Sequence, residues 1–122
     1  MRSKLAAKSC EPCRGGMPPM TADEAKSHIG QVPGWELNAD ARRIERCFSF
    51  GNFREALDFV NEIGELAEAE GHHPEIHFGW GYCRVEIFTH KIGGLHQNDF
   101  ILAAKINDLA AYWEQRFGNR PA

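Results

Sequence analysis

The segment from Asn52 to Gly71 constrains the fold more than any other part of the chain, because it predicts a helix with a single apolar face. Asn52 and Glu55 have the spacing of a capping box, and Gly71 is a typical helix end. The apolar stripe has helical spacing and comprises Phe53, Ala56, Leu57, Val60, Ile63 and Ala67. A helix with one such stripe needs another layer of structure to cover it.

Strand patterns flank this helix on both sides. Upstream, alternation of apolar and polar residues predicts a hairpin within residues 35–50, with Arg46 interrupting its apolar face. Downstream, two more strands are predicted at about 75–79 and 82–89, joined at Trp80-Gly81. Hairpins pair antiparallel strands, so a sheet of these strands would be antiparallel and would offer one face to the helix.

Two further helices complete the predicted order. Thr21 and Glu24 form a second capping-box pattern, and the short helix that they begin ends at Gly30. A long helix from about 97 to 117 carries an apolar face made of Ala103, Ile106, Ala110, Trp113 and Phe117. The order α-β-β-α-β-β-α predicts an α+β fold with two layers.

The first twenty residues show no periodicity and are rich in Pro, Gly and Cys. We predict an N-terminal arm at 1–20, carrying a Cys10-x-x-Cys13 pair, and a single domain at 21–122. The arm has no apolar run typical of a signal peptide, which favours a cytoplasmic location, and no stretch is long enough to span a membrane. In that compartment the four cysteines would stay reduced and would not form a disulfide framework.

Charge argues against one class of partner. The net charge is −3 with histidine neutral, and the basic residues are scattered rather than clustered. A nucleic-acid binder would normally show a basic patch, so a small molecule or a protein is the expected partner. An isolated four-stranded sheet would also leave edges and an open face, which favours a homo-oligomer.

The histidines are concentrated, since five of the six lie between residues 72 and 96. His73 and His77 have the spacing of two zinc ligands on a helix, but Pro74 lies between them in a strand-like pattern. Cys10 and Cys13 could supply two ligands, yet no second cysteine pair completes a closed site. A metal site, and with it a metal-dependent hydrolase, is therefore the weaker alternative. A thioredoxin-like redox role lacks a βαβ unit around the cysteine pair.

Acid–base chemistry is a better use for these rings. His72 and His73 could merely cap the end of the helix, where histidine interacts well with the macrodipole. A tight hairpin at Trp80-Gly81 would, however, return His90 to the same end of the sheet, so that three imidazoles face one cleft. Imidazole supplies both an acid and a base near neutral pH, as the elimination of water requires. The chain has no motif for a nucleophile, a P-loop or a dinucleotide site.

These residues resemble the signature of the pterin-4a-carbinolamine dehydratase family. The matching run is Glu68-x-x-x-His72-His73-Pro74, Trp80, Thr89-His90, Gly93-Gly94-Leu95 and Asp99. The resemblance extends from Pro33-Gly34-Trp35 to "DFILAAKI" and covers roughly residues 21–117, and "CEPCRGGMPP" is similar to the arm of bacterial members. It implies a four-stranded antiparallel sheet with three helices packed on one face.

The resemblance also implies an activity and a catalytic trio, His72, His73 and His90. The reaction would be loss of water from 4a-hydroxytetrahydropterin to give quinonoid dihydropterin, without a metal or organic cofactor. We expect His72 and His90 to be the acid–base pair and His73 mainly to hold the pterin. The implied partners are the pterin substrate, an aromatic amino-acid hydroxylase whose cofactor is recycled, and further copies of the chain in a homodimer or homotetramer. The alternative is a non-catalytic dimerisation or accessory protein.

The resemblance assigns substrate binding to five further positions: Trp35, Glu68, Gly71, Thr89 and Asp99. Each has a simpler explanation. Trp35 could be a core residue, Glu68 a solvated helix residue, and Thr89 a strand former. Asp99 could simply complement the macrodipole of the last helix, whereas the resemblance favours a role in orienting His90 or framing the cleft. Gly71 stands where some relatives have an acidic residue, so only its backbone could contact the pterin.

The remaining histidines have no family role. His96 precedes the last helix and could be a weak N-cap. His28 and His77 are expected to be surface or structural residues.

Overall fold

The computed structural model describes residues 4–11 and 15–117, with side chains as far as residue 114. The predicted order of elements is confirmed. The elements are α1 (Ala22–Ile29), β1 (Glu36–Leu37), β2 (Ile44–Ser49), α2 (Phe53–Glu70), β3 (Glu75–Gly79), β4 (Tyr82–Ile87) and α3 (Gln97–Phe117), with a 3₁₀ turn at His90–Ile92.

The four strands form one antiparallel sheet in the order β1-β2-β4-β3. Alternation along β4 separates two faces: Cys83, Val85 and Ile87 are fully buried, whereas Arg84 and Glu86 are only partly covered. The helices cover the buried face, which gives the predicted α+β fold of two layers. None of the helices in the part of the chain that the structure describes is both long and apolar enough to cross a membrane.

The main helix, α2, differs in two details from its prediction. Asn52 caps it by accepting a hydrogen bond from the Glu55 amide at 2.9 Å, but the Glu55 carboxylate accepts from Gly51 at 2.8 Å, so the capping box is incomplete. Phe53 is 46% exposed, so its assignment to the core stripe is wrong. The buried residue is Phe59, which lies between Ala56 and Ile63 at helical spacing, whereas Phe53 begins the helix.

Phe59 belongs to an aromatic cluster that joins the helices to the sheet. Its ring lies 5.0 Å from Phe48 and 5.6 Å from Trp113, between ring centres, and Phe50 contacts both Phe59 and Trp113. The predicted face of α3 is confirmed for its described residues, Ala103, Ile106, Ala110 and Trp113. The side chain of Phe117 lies outside the described residues.

Arg46 lies on the buried face of the sheet, where it interrupts the run of apolar residues along β2 as the sequence predicts. Its guanidinium lies 4.6 Å from the centre of the Phe48 ring and donates a hydrogen bond to Asn107 Oδ1 at 2.6 Å. Burial lowers the pKa of Arg46 from its usual value. The charge is therefore accommodated by stacking and by an amide oxygen rather than by a carboxylate.

The N-terminal segment packs against the body of the molecule. Its described residues, 4–11 and 15–20, form no helix or strand, as expected of an arm. Leu5 and Ala6 nevertheless belong to the buried core, and Lys105 Nζ donates to the Ala6 carbonyl at 2.9 Å. These two residues of the predicted arm are therefore part of the core. Cys13, the second cysteine of the predicted pair, lies outside the described residues.

Candidate active site

The end of α2 sets the position of the paired histidines. Gly71 has a left-handed conformation with φ of 66°, and its N–H donates to the Ala67 carbonyl. This conformation favours glycine and ends the helix at once. His72 and His73 follow directly, and Pro74 leads into β3.

The β3–β4 hairpin returns the chain to the same end of the sheet. Glu75 is paired with Glu86, and the tip is formed by Trp80 and Gly81, where Gly81 has φ of 83°. Thr89 and His90 follow β4 and therefore arrive beside the residues that precede β3. The hairpin geometry thus joins two distant stretches of sequence.

His72, His73 and His90 line one cleft of about 470 Å³, as the hairpin geometry predicts. Two of the positions predicted to bind substrate, Gly71 and Thr89, also line it. The other lining residues are Cys10, Glu11, Glu70, Phe88, Lys91 and Asn98.

Asp99 is fully buried behind His72 and orients its ring. One carboxylate oxygen lies 2.6 Å from His72 Nε2, and the other accepts hydrogen bonds from Thr89 Oγ1 at 2.9 Å and from the His96 amide at 2.8 Å. A carboxylate that holds one ring nitrogen fixes the orientation of the imidazole and leaves the other nitrogen for proton exchange. The expectation that Asp99 orients His90 is wrong, because its ring contact is with His72.

The other two histidines are much more exposed. His73 Nε2 lies 2.5 Å from Glu68 Oε2, with 59% of the His73 side chain and 76% of the Glu68 side chain exposed. His90 Nε2 lies 3.5 Å from Glu75 Oε1, and its ring centre is 4.3 Å from that of Phe88. Glu68 therefore lies against an imidazole and does not line the cleft.

Trp35 is placed elsewhere. It is only 4% exposed, belongs to the core, and donates from Nε1 to Asn107 Oδ1 at 2.8 Å. It does not line the histidine cleft in the described part of this chain. Of the five positions suggested for substrate binding, Trp35 is the one that the structure leaves remote.

Several cleft residues were not predicted from the sequence. Phe88 and Lys91 flank Thr89 and His90, and adjacency alone could have suggested them. Glu70 and Asn98 lie beside recognised residues but resemble ordinary polar helix residues. Cys10 and Glu11 belong to the cysteine-pair segment of the arm, but nothing in that segment predicts a place in the cleft, because only tertiary packing of the arm brings them here.

Two of these unpredicted residues have shifted pKa values. Burial raises the pKa of the Cys10 thiol to about 12, and the nearby Glu70 carboxylate acts in the same direction. Burial would also raise the pKa of Glu70, but the hydrogen bond from the Cys10 amide and the charge of Lys105 outweigh it, and the pKa is lowered. Cys10 is thus a neutral thiol near pH 7, and Glu70 is ionised.

The remaining histidines lie outside the cleft. His96 Nδ1 is 3.1 Å from the Asn98 amide, so it does cap α3. The ring of His28 contacts Phe100, and His77 is exposed on β3. Within residues 4–11 and 15–117, no group of three or more His, Cys, Asp or Glu side chains converges as a metal site would require.

Comparisons with known proteins identify the family. A sequence profile described as Pterin 4 alpha carbinolamine dehydratase matches residues 18–109. A relative from Methylococcus capsulatus, provisionally named pterin-4-alpha-carbinolamine dehydratase, is 62% identical over 107 residues, which are 88% of this chain and 94% of that protein. A relative from Aromatoleum aromaticum with the same provisional name is 56% identical over 110 residues, 90% and 98% of the two chains.

Solved structures agree in fold. A transcriptional coactivator/pterin dehydratase from Brucella melitensis superposes with a TM-score of 0.70 at 28% identity, over 75% of this chain and 98% of that one. A pterin dehydratase-like protein described as a RuBisCO assembly factor in the alpha-carboxysome has a TM-score of 0.55 at 23% identity, over 63% and 89%. The second likeness concerns the fold alone. This chain belongs to the pterin 4 alpha carbinolamine dehydratase family.

Proposed function

We propose that this protein removes water from 4a-hydroxytetrahydropterin to give quinonoid dihydropterin, using imidazole side chains as acid and base. The observation that carries the proposal is the convergence of His72, His73 and His90 on one cleft of about 470 Å³. Pockets of this size suit small molecules, and a pterin is a flat bicyclic ring that fits within such a volume. Membership of the dehydratase family supports the same reaction.

His72 and His90 form the acid–base pair. One imidazolium protonates the 4a-hydroxyl as the carbon–oxygen bond breaks, and one neutral imidazole takes the N5 proton, so that water leaves and the ring gains a double bond. Asp99 holds Nε2 of His72, which leaves Nδ1 for the substrate. His90 is largely exposed and can exchange protons with solvent between turnovers. Each well-placed group of this kind contributes about 10²–10⁴-fold to the rate.

Binding of the pterin involves four further residues of the cleft. His73 contacts the ring and is itself oriented by Glu68, and the Gly71 backbone offers polar groups at the edge of the cleft. Thr89 acts through Asp99, to which its hydroxyl donates. The Phe88 ring supplies apolar surface beside His90.

The physiological role follows from the product. Quinonoid dihydropterin is the form that reduction returns to tetrahydropterin, so the reaction would recycle the cofactor of an aromatic amino-acid hydroxylase. The expected cytoplasmic location and the homodimer or homotetramer belong to this same proposal.

A coupled assay tests the proposal. A phenylalanine hydroxylase generates the 4a-hydroxy intermediate, and its decay is followed by absorbance with a chelator present. Wild-type protein should speed the decay, and His72→Ala/His90→Ala should not. His77→Ala is the matched control, because His77 is exposed on β3 and lies outside the cleft. A decay unchanged by wild type, or equal acceleration by the double variant, would disprove the enzymatic proposal.

The same assay separates the alternatives. The Brucella melitensis relative is described as a transcriptional coactivator as well as a pterin dehydratase, which favours a non-catalytic accessory role as the second candidate. Loss of acceleration on adding chelator would instead indicate a metal-dependent enzyme. Three histidines in one cleft favour chemistry, because an accessory protein has no need of them.

A further inference from the structure

The N-terminal arm reaches the cleft, although no motif in it suggests a role there. Cys10 and Glu11 line the same cavity as the three histidines. The arm residues contribute to this cavity from the side of α3, whereas His90 contributes from the loop after β4. Part of the wall of the cleft therefore comes from a segment outside the sheet and the helices.

Asn98 fastens the arm at Glu11. The side chain of Asn98 is buried, with the residue only 2% exposed. Its Oδ1 accepts from the Glu11 amide at 2.9 Å, and its Nδ2 donates to the Glu11 carbonyl at 2.6 Å. The oxygen and the nitrogen of the Asn98 side chain thus both bond to the backbone of Glu11.

Glu70 and Lys105 fasten the arm at two more points. Glu70 Oε1 accepts from the Cys10 amide at 2.8 Å, and Glu70 Oε2 lies 3.6 Å from Lys105 Nζ. Lys105 also donates to the Ala6 carbonyl at 2.9 Å. The side chains of Glu70 and Lys105 are only 14% and 10% exposed, so these contacts are largely shielded from water.

Buried polar groups are costly when they lack partners. The arm backbone pairs with these three side chains, which come from the end of α2 and from α3, so the docked position is built into two helices rather than being a chance surface contact. Glu70 comes two residues before His72, and Asn98 comes one residue before Asp99. The same helix ends therefore position both the arm and the catalytic imidazole.

We propose that the docked arm is a wall of the pterin cleft and that Asn98 and Glu70 are positioning residues, which hold Cys10 and Glu11 against the bound ring. The inference rests on the proposed function in that its ligand is a pterin. Loosening the arm removes contacts with the substrate but leaves His72 and His90 in place. Weakened docking thus lowers affinity for the pterin more than it lowers kcat.

The docking of the arm can be measured by the accessibility of the Cys10 thiol to an alkylating reagent. In a background of Cys13→Ser and Cys47→Ser, two cysteines remain, and Cys83 is fully buried. The rate at which iodoacetamide alkylates Cys10 is measured by mass spectrometry with and without 7,8-dihydropterin, a pterin that lacks the 4a-hydroxyl group. The reaction is run at alkaline pH, because the raised pKa of Cys10 leaves little of the reactive thiolate near pH 7. We expect the pterin to slow alkylation, and Asn98→Ala or Glu70→Gln to speed it and to abolish the protection.

Affinity and turnover are measured on the same variants. Asn98→Ala and Glu70→Gln should each raise the Kd of 7,8-dihydropterin by roughly tenfold, which corresponds to the loss of a good contact. Their kcat should stay within about twofold of wild type, because the acid–base groups are untouched. Asn61→Ala and Glu65→Gln, exposed on α2 and away from the cleft, are the matched controls. Thermal unfolding verifies that each variant is folded, and protection of Cys10 in the background with Asn98 and Glu70 intact tests the inference without any change to the docking contacts.

The outcomes separate this inference from the proposed function. Binding of 7,8-dihydropterin without protection of Cys10, or arm variants with unchanged Kd, overturns the inference alone. Binding with protection but no dehydration overturns the proposed reaction alone. If titration calorimetry detects no binding of 7,8-dihydropterin, this inference is overturned, and the coupled assay decides the proposed function.

Discussion

His72 and His90 line the same cleft under opposite conditions. The His72 side chain is 12% exposed, and its ring is held 2.6 Å from a buried carboxylate. The His90 side chain is 67% exposed, and its nearest carboxylate is 3.5 Å away at a partly exposed residue. The difference teaches that one site can use the same side chain in two ways: a ring with a fixed orientation on the inner side, and a ring open to water at the rim.

The first way to sharpen this comparison is to remove each ring separately. His72→Ala and His90→Ala should each lower kcat by about 10²–10⁴-fold, because each removes an acid–base group. Only His72→Ala should also lower the free energy of unfolding, by about 1–3 kcal/mol, because it leaves buried Asp99 without one partner. Stopped-flow assays and urea unfolding provide the measurements. Equal losses of stability would contradict the distinction between the two rings.

The second way is to change the group that fixes His72. Asp99→Asn replaces a carboxylate that accepts three hydrogen bonds with an amide that has one acceptor oxygen. The ring of His72 then loses its preferred orientation, and kcat should fall by about 10²-fold, the loss that a misplacement of about 1 Å can cause. Asp58→Asn, on the exposed face of α2, is the control. An unchanged kcat for Asp99→Asn would show that His72 does not need its carboxylate.

The third way is to remove a supporting donor. Thr89→Val keeps the shape of the side chain but deletes the hydroxyl that donates to Asp99 at 2.9 Å. The variant should be less stable by about 1–2 kcal/mol, since a buried carboxylate loses one donor. Thr89→Ser keeps the hydroxyl and should lose less. Urea denaturation curves give the free energy of unfolding of both variants. A greater loss of stability for Thr89→Ser than for Thr89→Val would contradict the role of the hydroxyl.

A fourth prediction uses pH on the inner side of the cleft. The pKa of Glu70 is lowered from its usual 4.5 by the Cys10 amide and Lys105, which outweigh burial. Its contribution to stability is therefore complete above about pH 4.5 and is lost as the pH falls through the lower folded-state pKa. Glu70→Gln should be about 1 kcal/mol less stable than wild type at pH 7, and the gap should close in acid. A gap that widens in acid would contradict the sign of the shift.

The smallest effects are expected at the rim. Glu75→Gln and Glu68→Gln remove the carboxylates beside His90 and His73, in pairs that are half exposed or more. Exposed ion pairs contribute about 0–1 kcal/mol, so the free energy of unfolding should change little. Differential scanning calorimetry measures it. A loss of stability as large as that of His72→Ala would remove the contrast between the inner side and the rim.

Much of the fold could be predicted because its signals are local. Thr21 and Glu24 do form the predicted capping box, and the strand predicted at about 82–89 corresponds to β4 at Tyr82–Ile87. Phe53 and Phe59 show the limit of such patterns. Both are apolar residues of α2, and only the position of the sheet beneath the helix decides that Phe59 is buried.

The site was predictable where a hairpin joins its parts. His72 and His90 could be brought together from the positions of strands and a tight tip, which local sequence encodes. Trp35, Cys10 and Glu11 could not be placed, because their locations depend on how a loop and an arm pack in three dimensions. Leu5 is the clearest case: it is 4% exposed in a segment without any periodicity.

Because β3 pairs with β4, the number of residues between His73 and His90 determines how the two histidines are placed relative to each other. Register places Glu75 opposite Glu86, and each step of one residue along a strand reverses the side to which its side chains project. One residue inserted beside Trp80, which is 71% exposed, would lengthen the turn and leave this register unchanged. One residue inserted within β4 would turn Thr89 away from Asp99 and displace His90. Insertions beside Trp80 should therefore be tolerated in evolution, whereas insertions within β3 or β4 keep the side-chain directions only if they add two residues at a time.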